Sequence, residues 1–131
     1  MSQYSIRVLV VEDEILIRKY VILLLKKLGC TVVGETSSGE EAVRLAREKI
    51  PGLVLMDIRL KGDMDGITAS KEIGRQRAVP ILFMSAYDYQ ERVGEGQIPN
   101  TLGYLKKPVE EYELESYLKK LKQQPDPGKT V

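Results

Sequence analysis

Three short stretches of the chain are apolar at every position: VLVV at 8–11, LVLM at 53–56 and ILFM at 81–84. A strand with one wet face alternates apolar and polar residues, because successive side chains point to opposite faces. A run with no polar partner is covered on both sides, as in a parallel sheet flanked by helices. Two weaker segments, 31–35 and 103–105, bring the expected strands to five, the first spanning 6–11.

Between these runs the apolar period becomes helical. In 14–28, Ile17, Val21, Leu24 and Leu28 share one face, and Gly29 is placed to stop the helix. SGEEAVRLAREKIP opens with Ser38 and Glu41 at capping-box spacing and halts before Pro51. DGITASKEIGRQR starts from Asp65 as a cap. EEYELESYLKKLK sets acids early and lysines late, which suits the helix dipole. Its apolar contacts are expected from Tyr112, Leu114, Tyr117, Leu118 and Leu121. YDYQERVGEGQIPN contains Gly94, Gly96 and Pro99, so it predicts only a short fourth helix over 89–93 and an irregular stretch beyond. The resulting order is βαβαβαβαβα. Right-handed crossovers turn that order into a parallel sheet with helices on both faces.

A chain of 131 residues suits one domain and buries a core without staples. The net charge of +1 supplies no overall field for nucleic acid or an anionic membrane, so any electrostatic function is local. Cys30 is the only cysteine, which rules out an internal disulfide; it reads as a small buried hydrophobe. The absence of histidine excludes a histidine triad, a His-ligated zinc site and a phosphohistidine carrier. With no tryptophan and one phenylalanine, a platform for stacking bases is not expected. The longest apolar run considered, 21–25, falls far short of a bilayer span, and MSQYSIR lacks the apolar stretch of a signal peptide. The expectation is a protein of the reducing cytoplasm.

In open parallel sheets, ligands sit beyond the carboxyl ends of the strands, near the point where strand order reverses. Glu12 and Asp13 follow the first strand, Asp57 the third, Ser85 the fourth, and Lys106, Lys107 and Pro108 the fifth. If strands one and three are neighbours, three carboxylates meet on one rim. Two unit charges 4 Å apart repel by about 4 kcal/mol at an effective dielectric near 20. Such crowding is either a solvated rim or is compensated by a raised pKa or a bound cation. Three oxygen ligands with room for water suit Mg²⁺. A lysine donates to phosphoryl oxygens, a serine hydroxyl can do the same, and a carboxylate can accept a phosphoryl group. Metal and lysine together neutralise charge on a transferring group. No general base is required, because an aspartate is ordinarily an anion at neutral pH.

The segments VLVVEDE, LVLMDIRL, MDG, FMSA and GYLKKP, in this order and spacing, closely resemble the receiver domain of two-component response regulators, over about residues 5–122. The resemblance implies a flavodoxin-like (βα)5 domain over 1–122, with a five-stranded parallel sheet of order 2-1-3-4-5. Residues 123–131 are then a flexible tail or the start of a linker. It implies Asp57 as phosphoacceptor, Glu12 and Asp13 as the acidic pair that holds Mg²⁺ with Asp57, and the main-chain carbonyl of Arg59 as a further ligand. Ser85 stands as the switch hydroxyl. Lys107 stands as the lysine that stabilises the phosphoryl group, with Lys106 its exposed neighbour and the Lys107–Pro108 bond cis. Tyr104 occupies the aromatic switch position; a plain strand aromatic is the alternative. The implied role is a phosphoacceptor module served by a sensor histidine kinase or phosphotransfer domain. It catalyses only its own aspartyl phosphorylation and dephosphorylation. A downstream protein reads the face of the fourth helix, fifth strand and fifth helix, and a phosphorylation-dependent homodimer is compatible with that role. Direct contact with nucleic acid or membrane is not expected.

The chain departs from the family pattern in three places. The loop IRLKGDMDG after Asp57 is one residue longer and lacks the usual Met-Pro pair. Arg59 and Tyr87 flank the phosphate position and are expected to affect hydrolysis of the phosphate. The segment 94–100, rich in glycine and proline, occupies the usual output face. Two rival readings remain at this point. An aspartate-nucleophile phosphatase of the haloacid dehalogenase type needs a second Asp two residues after the first, where this chain has Arg59. A non-phosphorylated interaction module would lack the acid pair, the acceptor or the lysine, all of which are present.

Overall fold

A computed structural model describes residues 4–86, 98 and 100–123. The order of elements is β1 (Arg7–Val11), α1 (Ile15–Lys27), β2 (Thr31–Thr36), α2 (Gly39–Lys49), β3 (Leu53–Asp57), α3 (Gly66–Gln76), β4 (Ile81–Ser85), β5 (Thr101–Lys106) and α4 (Glu111–Gln123). All strand pairings are parallel, and the sheet runs β2-β1-β3-β4-β5. The short helix expected over 89–93, the phosphate-flanking Tyr87, and most of the 94–100 stretch lie outside the described residues. The last helix, α4, extends through Gln123, one residue past the expected boundary at 122.

Two apolar clusters account for the absence of alternation. Val8, Val10, Leu53, Leu55, Leu82, Met84 and Leu105 face Val21 and Leu25 of α1 and Leu114 and Leu118 of α4. Leu9, Val11, Val54, Met56, Ile81 and Phe83 face Ala42 and Ala46 of α2 and Ala69 and Ile73 of α3. Alternate strand positions thus serve different cores, with two of the described helices over each. Cys30 belongs to the first cluster and is buried. Burying each large side chain contributes roughly 1.5–3 kcal/mol. Among the described residues, no helix is long and apolar enough to cross a membrane.

Helix ends follow local chemistry, with two adjustments. Asp65 caps α3 by accepting from the Thr68 N–H at 2.8 Å, and Gly29 adopts φ +87° beyond α1. The capping box of α2 forms by only one arm. Ser38 Oγ accepts from the Glu41 N–H at 3.1 Å, but the Glu41 carboxylate takes the Thr36 hydroxyl at 2.5 Å, and Thr36 Oγ1 accepts the Ser38 N–H instead. Tyr112 does not join the α4 apolar face: it is 75% exposed, while Leu114 and Leu118 are buried and Tyr117 and Leu121 pack at the cluster's edge. Leu114 and Leu118 lie four apart on one face, and position 112, two residues before Leu114, projects from the opposite side of the helix.

The reversal of strand order around β1 and β3 places the tips of those two strands side by side. The start of α3 then closes on the tip of β3. Gly66 donates its N–H to the Ile58 carbonyl at 3.0 Å, and a Cβ on Gly66 would fall 1.9 Å from the Asp57 carbonyl oxygen. Backbone on both sides leaves no soft atom to yield. Gly66→Ala is therefore expected to destabilise the protein by about 1–3 kcal/mol, the range for inserting a methyl group into a packed site. A lowered urea midpoint with unchanged slope would show it; an unaltered midpoint would mean the loop has room the structure does not show.

Candidate functional site

Glu12 follows directly on β1, Asp57 ends β3, Ser85 ends β4 and Lys107 follows β5. The sheet order therefore brings side chains from across the sequence to one rim. Glu12 and Asp57 are buried, while Asp13 is partly open to solvent. Carboxylate oxygens of Glu12, Asp13 and Asp57 lie within 4.8 Å of one another. Lys107 Nζ sits 2.7 Å from Glu12 Oε1 and 3.2 Å from Asp57 Oδ2. The rim is thus not simply a solvated turn, because a largely buried ammonium partners Glu12 of the first loop and Asp57 of β3.

Backbone groups hold the remaining oxygens. The Glu14 N–H donates to Glu12 Oε2 at 3.1 Å, the Arg59 N–H to Asp57 Oδ1 at 3.0 Å, and the Lys61 N–H to Asp13 Oδ2 at 3.0 Å. The loop after Asp57 thus delivers a main-chain donor to Asp13. The Lys107 N–H donates to the Ser85 carbonyl at 2.8 Å, which fixes the turn where Lys107 leaves the sheet. The Lys107–Pro108 bond is cis. Ser85 is buried at the same rim, and Lys106 is exposed. Tyr104 lies further down β5, half-buried and stacked on Phe83 at 5.6 Å between ring centroids.

Burial dominates the electrostatics. It raises the Glu12 carboxyl to about 7, against the pull of Lys107 and the Glu14 N–H. Burial also raises Asp57, opposed by Lys107 and the Arg59 N–H. For Lys107, burial acts downward, but Glu12 and Asp57 outweigh it and the ammonium is held above its ordinary value. Three ionised carboxylates against one ammonium leave two negative charges, the charge a divalent cation carries. The hard oxygen donors, the charge balance and the open side at Asp13 fit Mg²⁺, which keeps some of its water. The cluster has the donors to hold such an ion, and it sets the Asp57 carboxylate, a group able to accept a phosphoryl group, beside an ammonium able to donate to phosphoryl oxygens.

The structure brings together Glu12, Asp13, Asp57, Ser85 and Lys107; Tyr104 stands apart on the same edge strand. Sequence reasoning missed the Lys61 main-chain donor, for which the side-chain pattern carries no signal. The tight approach of Gly66 to the Asp57 carbonyl was missed as well, and the DG pair after β3 was the available clue.

A model of the family described as response regulator receiver domain matches residues 8–119. The transcriptional regulatory protein PdtaR of Mycobacterium tuberculosis is 39% identical over 102 residues, covering 78% of this chain and 49% of that protein. The chain spans about half the length of curated relatives such as this one. The receiver domain of the PhyR response regulator from Erythrobacter litoralis superposes with a TM-score of 0.82 at 31% identity, covering 97% of each chain. The receiver domain of the sensor histidine kinase PA1611 from Pseudomonas aeruginosa PAO1, solved with a magnesium ion coordinated in its active-site cleft, gives a TM-score of 0.78 at 30% identity, covering 89% of this chain and 97% of that one.

The raised carboxyls set the pH dependence of the metal-free protein. A carboxyl whose folded pKa lies above its unfolded value contributes stability below the unfolded pKa, and that stability is lost as pH rises through the folded one. For Glu12 the window runs from about 4.5 to about 7. In EDTA, melting temperature should fall across this window, and added Mg²⁺ should raise it far more at pH 8 than at pH 5. Equal Mg²⁺ stabilisation at both pH values would contradict the coupled charge balance.

Proposed function

The chain belongs to the response regulator receiver family, and on that premise we propose that it is the phosphoacceptor module of a two-component phosphorelay, with Asp57 as acceptor. The observation that carries this reading is the convergence of Glu12, Asp13 and Asp57 within 4.8 Å, with Lys107 reaching two of them.

A sensor histidine kinase or phosphotransfer domain presents a phosphorylated histidine, a residue this chain lacks. A carboxylate oxygen of Asp57 attacks phosphorus in line; the new O–P bond forms as the P–N bond breaks, and its electron pair returns to the imidazole. Mg²⁺ held by Glu12, Asp13, Asp57 and the main-chain carbonyl of Arg59 would supply charge neutralisation at the transferring group. Lys107 exchanges its contact with Asp57 for the phosphoryl oxygens, and the Ser85 hydroxyl donates to another. The acyl phosphate adds nearly two negative charges to the rim. Ser85 moving inward frees space for Tyr104, and the change reaches β5 and α4, where the Tyr117 hydroxyl donates to the Tyr104 carbonyl at 3.3 Å. A downstream protein, or a second copy of this chain in a phosphorylation-dependent homodimer, reads that face. A few kcal/mol of differential contact moves such a two-state population. The domain catalyses only its own phosphorylation and dephosphorylation. The reading carries with it the cytoplasm as the place of work, residues 1–122 as the receiver unit and 123–131 as a tail or linker start.

Acetyl phosphate with Mg²⁺ should add the mass of one phosphoryl group to the wild-type chain and none to Asp57→Asn. Wild-type labelling of the variant would overturn the assignment of the acceptor. Asp13→Ala should leave the fold intact and weaken Mg²⁺ binding by at least about tenfold, as loss of one of few oxygen ligands does; calorimetric titration measures it.

A further inference from the structure

Arg18 lies on the first turn and a half of α1, outside every contact to the phosphoacceptor. Its Nη1 donates to the Glu12 carbonyl oxygen at 2.7 Å, and its Nε donates to Glu35 Oε1, at the end of β2, at 2.9 Å. The side chain is 14% exposed. Burial acts upward on Glu35, but Arg18 and Lys19 outweigh it and hold that carboxyl below its ordinary value. The guanidinium is therefore a planar fork with one prong on the edge strand and one on the first loop.

The carbonyl it grips belongs to the peptide plane joining Glu12 to Asp13. A trans peptide is rigid, so the orientation of that plane sets where the next Cα goes. The Glu12 side of the plane is already pinned: its N–H donates to the Thr36 carbonyl at 3.0 Å, and its carboxylate meets Lys107 and the Glu14 N–H. On the Asp13 side, the carboxylate meets the Lys61 N–H. Without the guanidinium, the plane would be free to rotate about the bonds that flank it, and the Asp13 carboxylate would swing relative to that of Glu12. We infer that Arg18 is a positioning residue for Mg²⁺: it locks the peptide plane between the two acidic ligands and so sets their separation. The inference rests on the receiver reading and adds a residue to its machinery.

The sign of the effect separates positioning from charge. Deleting a cation near a cation site strengthens attraction for metal if Coulomb's law alone decides. Loosening the ligand pair weakens it, and weakens Mg²⁺ more than Ca²⁺, because Mg²⁺ demands near-ideal octahedral geometry while Ca²⁺ tolerates irregular coordination. Calorimetric titration of the full chain with MgCl₂ and with CaCl₂ tests this. Arg18→Ala should lose about tenfold in Mg²⁺ affinity, the lower end for residues that orient metal ligands, with a smaller loss for Ca²⁺. Arg18→Lys keeps the charge but has one ammonium in place of the fork, so its Mg²⁺ preference should fall between wild type and Arg18→Ala; it also serves if the alanine variant does not fold. Mg²⁺ affinity that is unchanged or higher in the variants, or equal losses for both ions, would overturn the inference. If wild type binds Mg²⁺ and the variants match it, only the role of Arg18 falls. If wild type binds no Mg²⁺, the receiver reading falls and takes this role with it.

Discussion

One ammonium group holds the site together. Lys107 reaches from β5, past β4, to carboxylates at the tips of β1 and β3. Two buried carboxylates so close would each cost several kcal/mol without a partner. The contact also explains why these strands end where they do: the charged residues begin where helix cover stops, and the rim is the one place where their partner can meet them. Burial keeps Glu12 near 7 even so. Burial thus works against ionisation at Glu12, and a cation binding here would have to displace any proton held there.

The cover on both faces of the sheet leaves the loops at the carboxyl ends as the part of the molecule open to chemistry. Those loops are held by backbone as much as by side chains. Main-chain N–H groups of Glu14, Arg59 and Lys61 each take one carboxylate oxygen. Gly66 lets the start of α3 lie directly on the Asp57 carbonyl. A carboxylate fixed in this way needs little reorganisation when charge arrives, which is where preorganised sites gain most.

Legibility divides along physical lines. The strand runs and the capping residues Ser38 and Asp65 could be read because burial and local hydrogen bonding act within a few residues. The rim residues could be read because strand ends of parallel sheets converge, and because five short motifs stand in register. Three things could not. Tyr112 is a large aromatic within an amphipathic helix, yet the residues three, four and seven further on are Glu115, Ser116 and Lys119, and the helix turns it outward. Glu41 sits at capping-box spacing, yet a threonine hydroxyl contributed by the preceding strand outcompetes the Ser38 N–H for its carboxylate. Arg18 reads as one more cation on a helix; its partners, Glu12 and Glu35, become neighbours only once β1 and β2 pair.

The two-faced burial of the central strands has a cost in uniqueness. Val8 to Val11 and Leu53 to Met56 are all fully buried. In a sheet with one wet face, sliding a strand by one residue drives apolar groups into water, and that penalty polices alignment. Here a slide would exchange one apolar set for another of similar bulk, so the middle of the sheet barely discriminates. The tips do. A one-residue slide of β3 would carry Asp57 about 3.3 Å along the strand, off the lysine, and strand a charge inside. The charged residues gathered at the rim are therefore also the ruler by which the strands find their alignment.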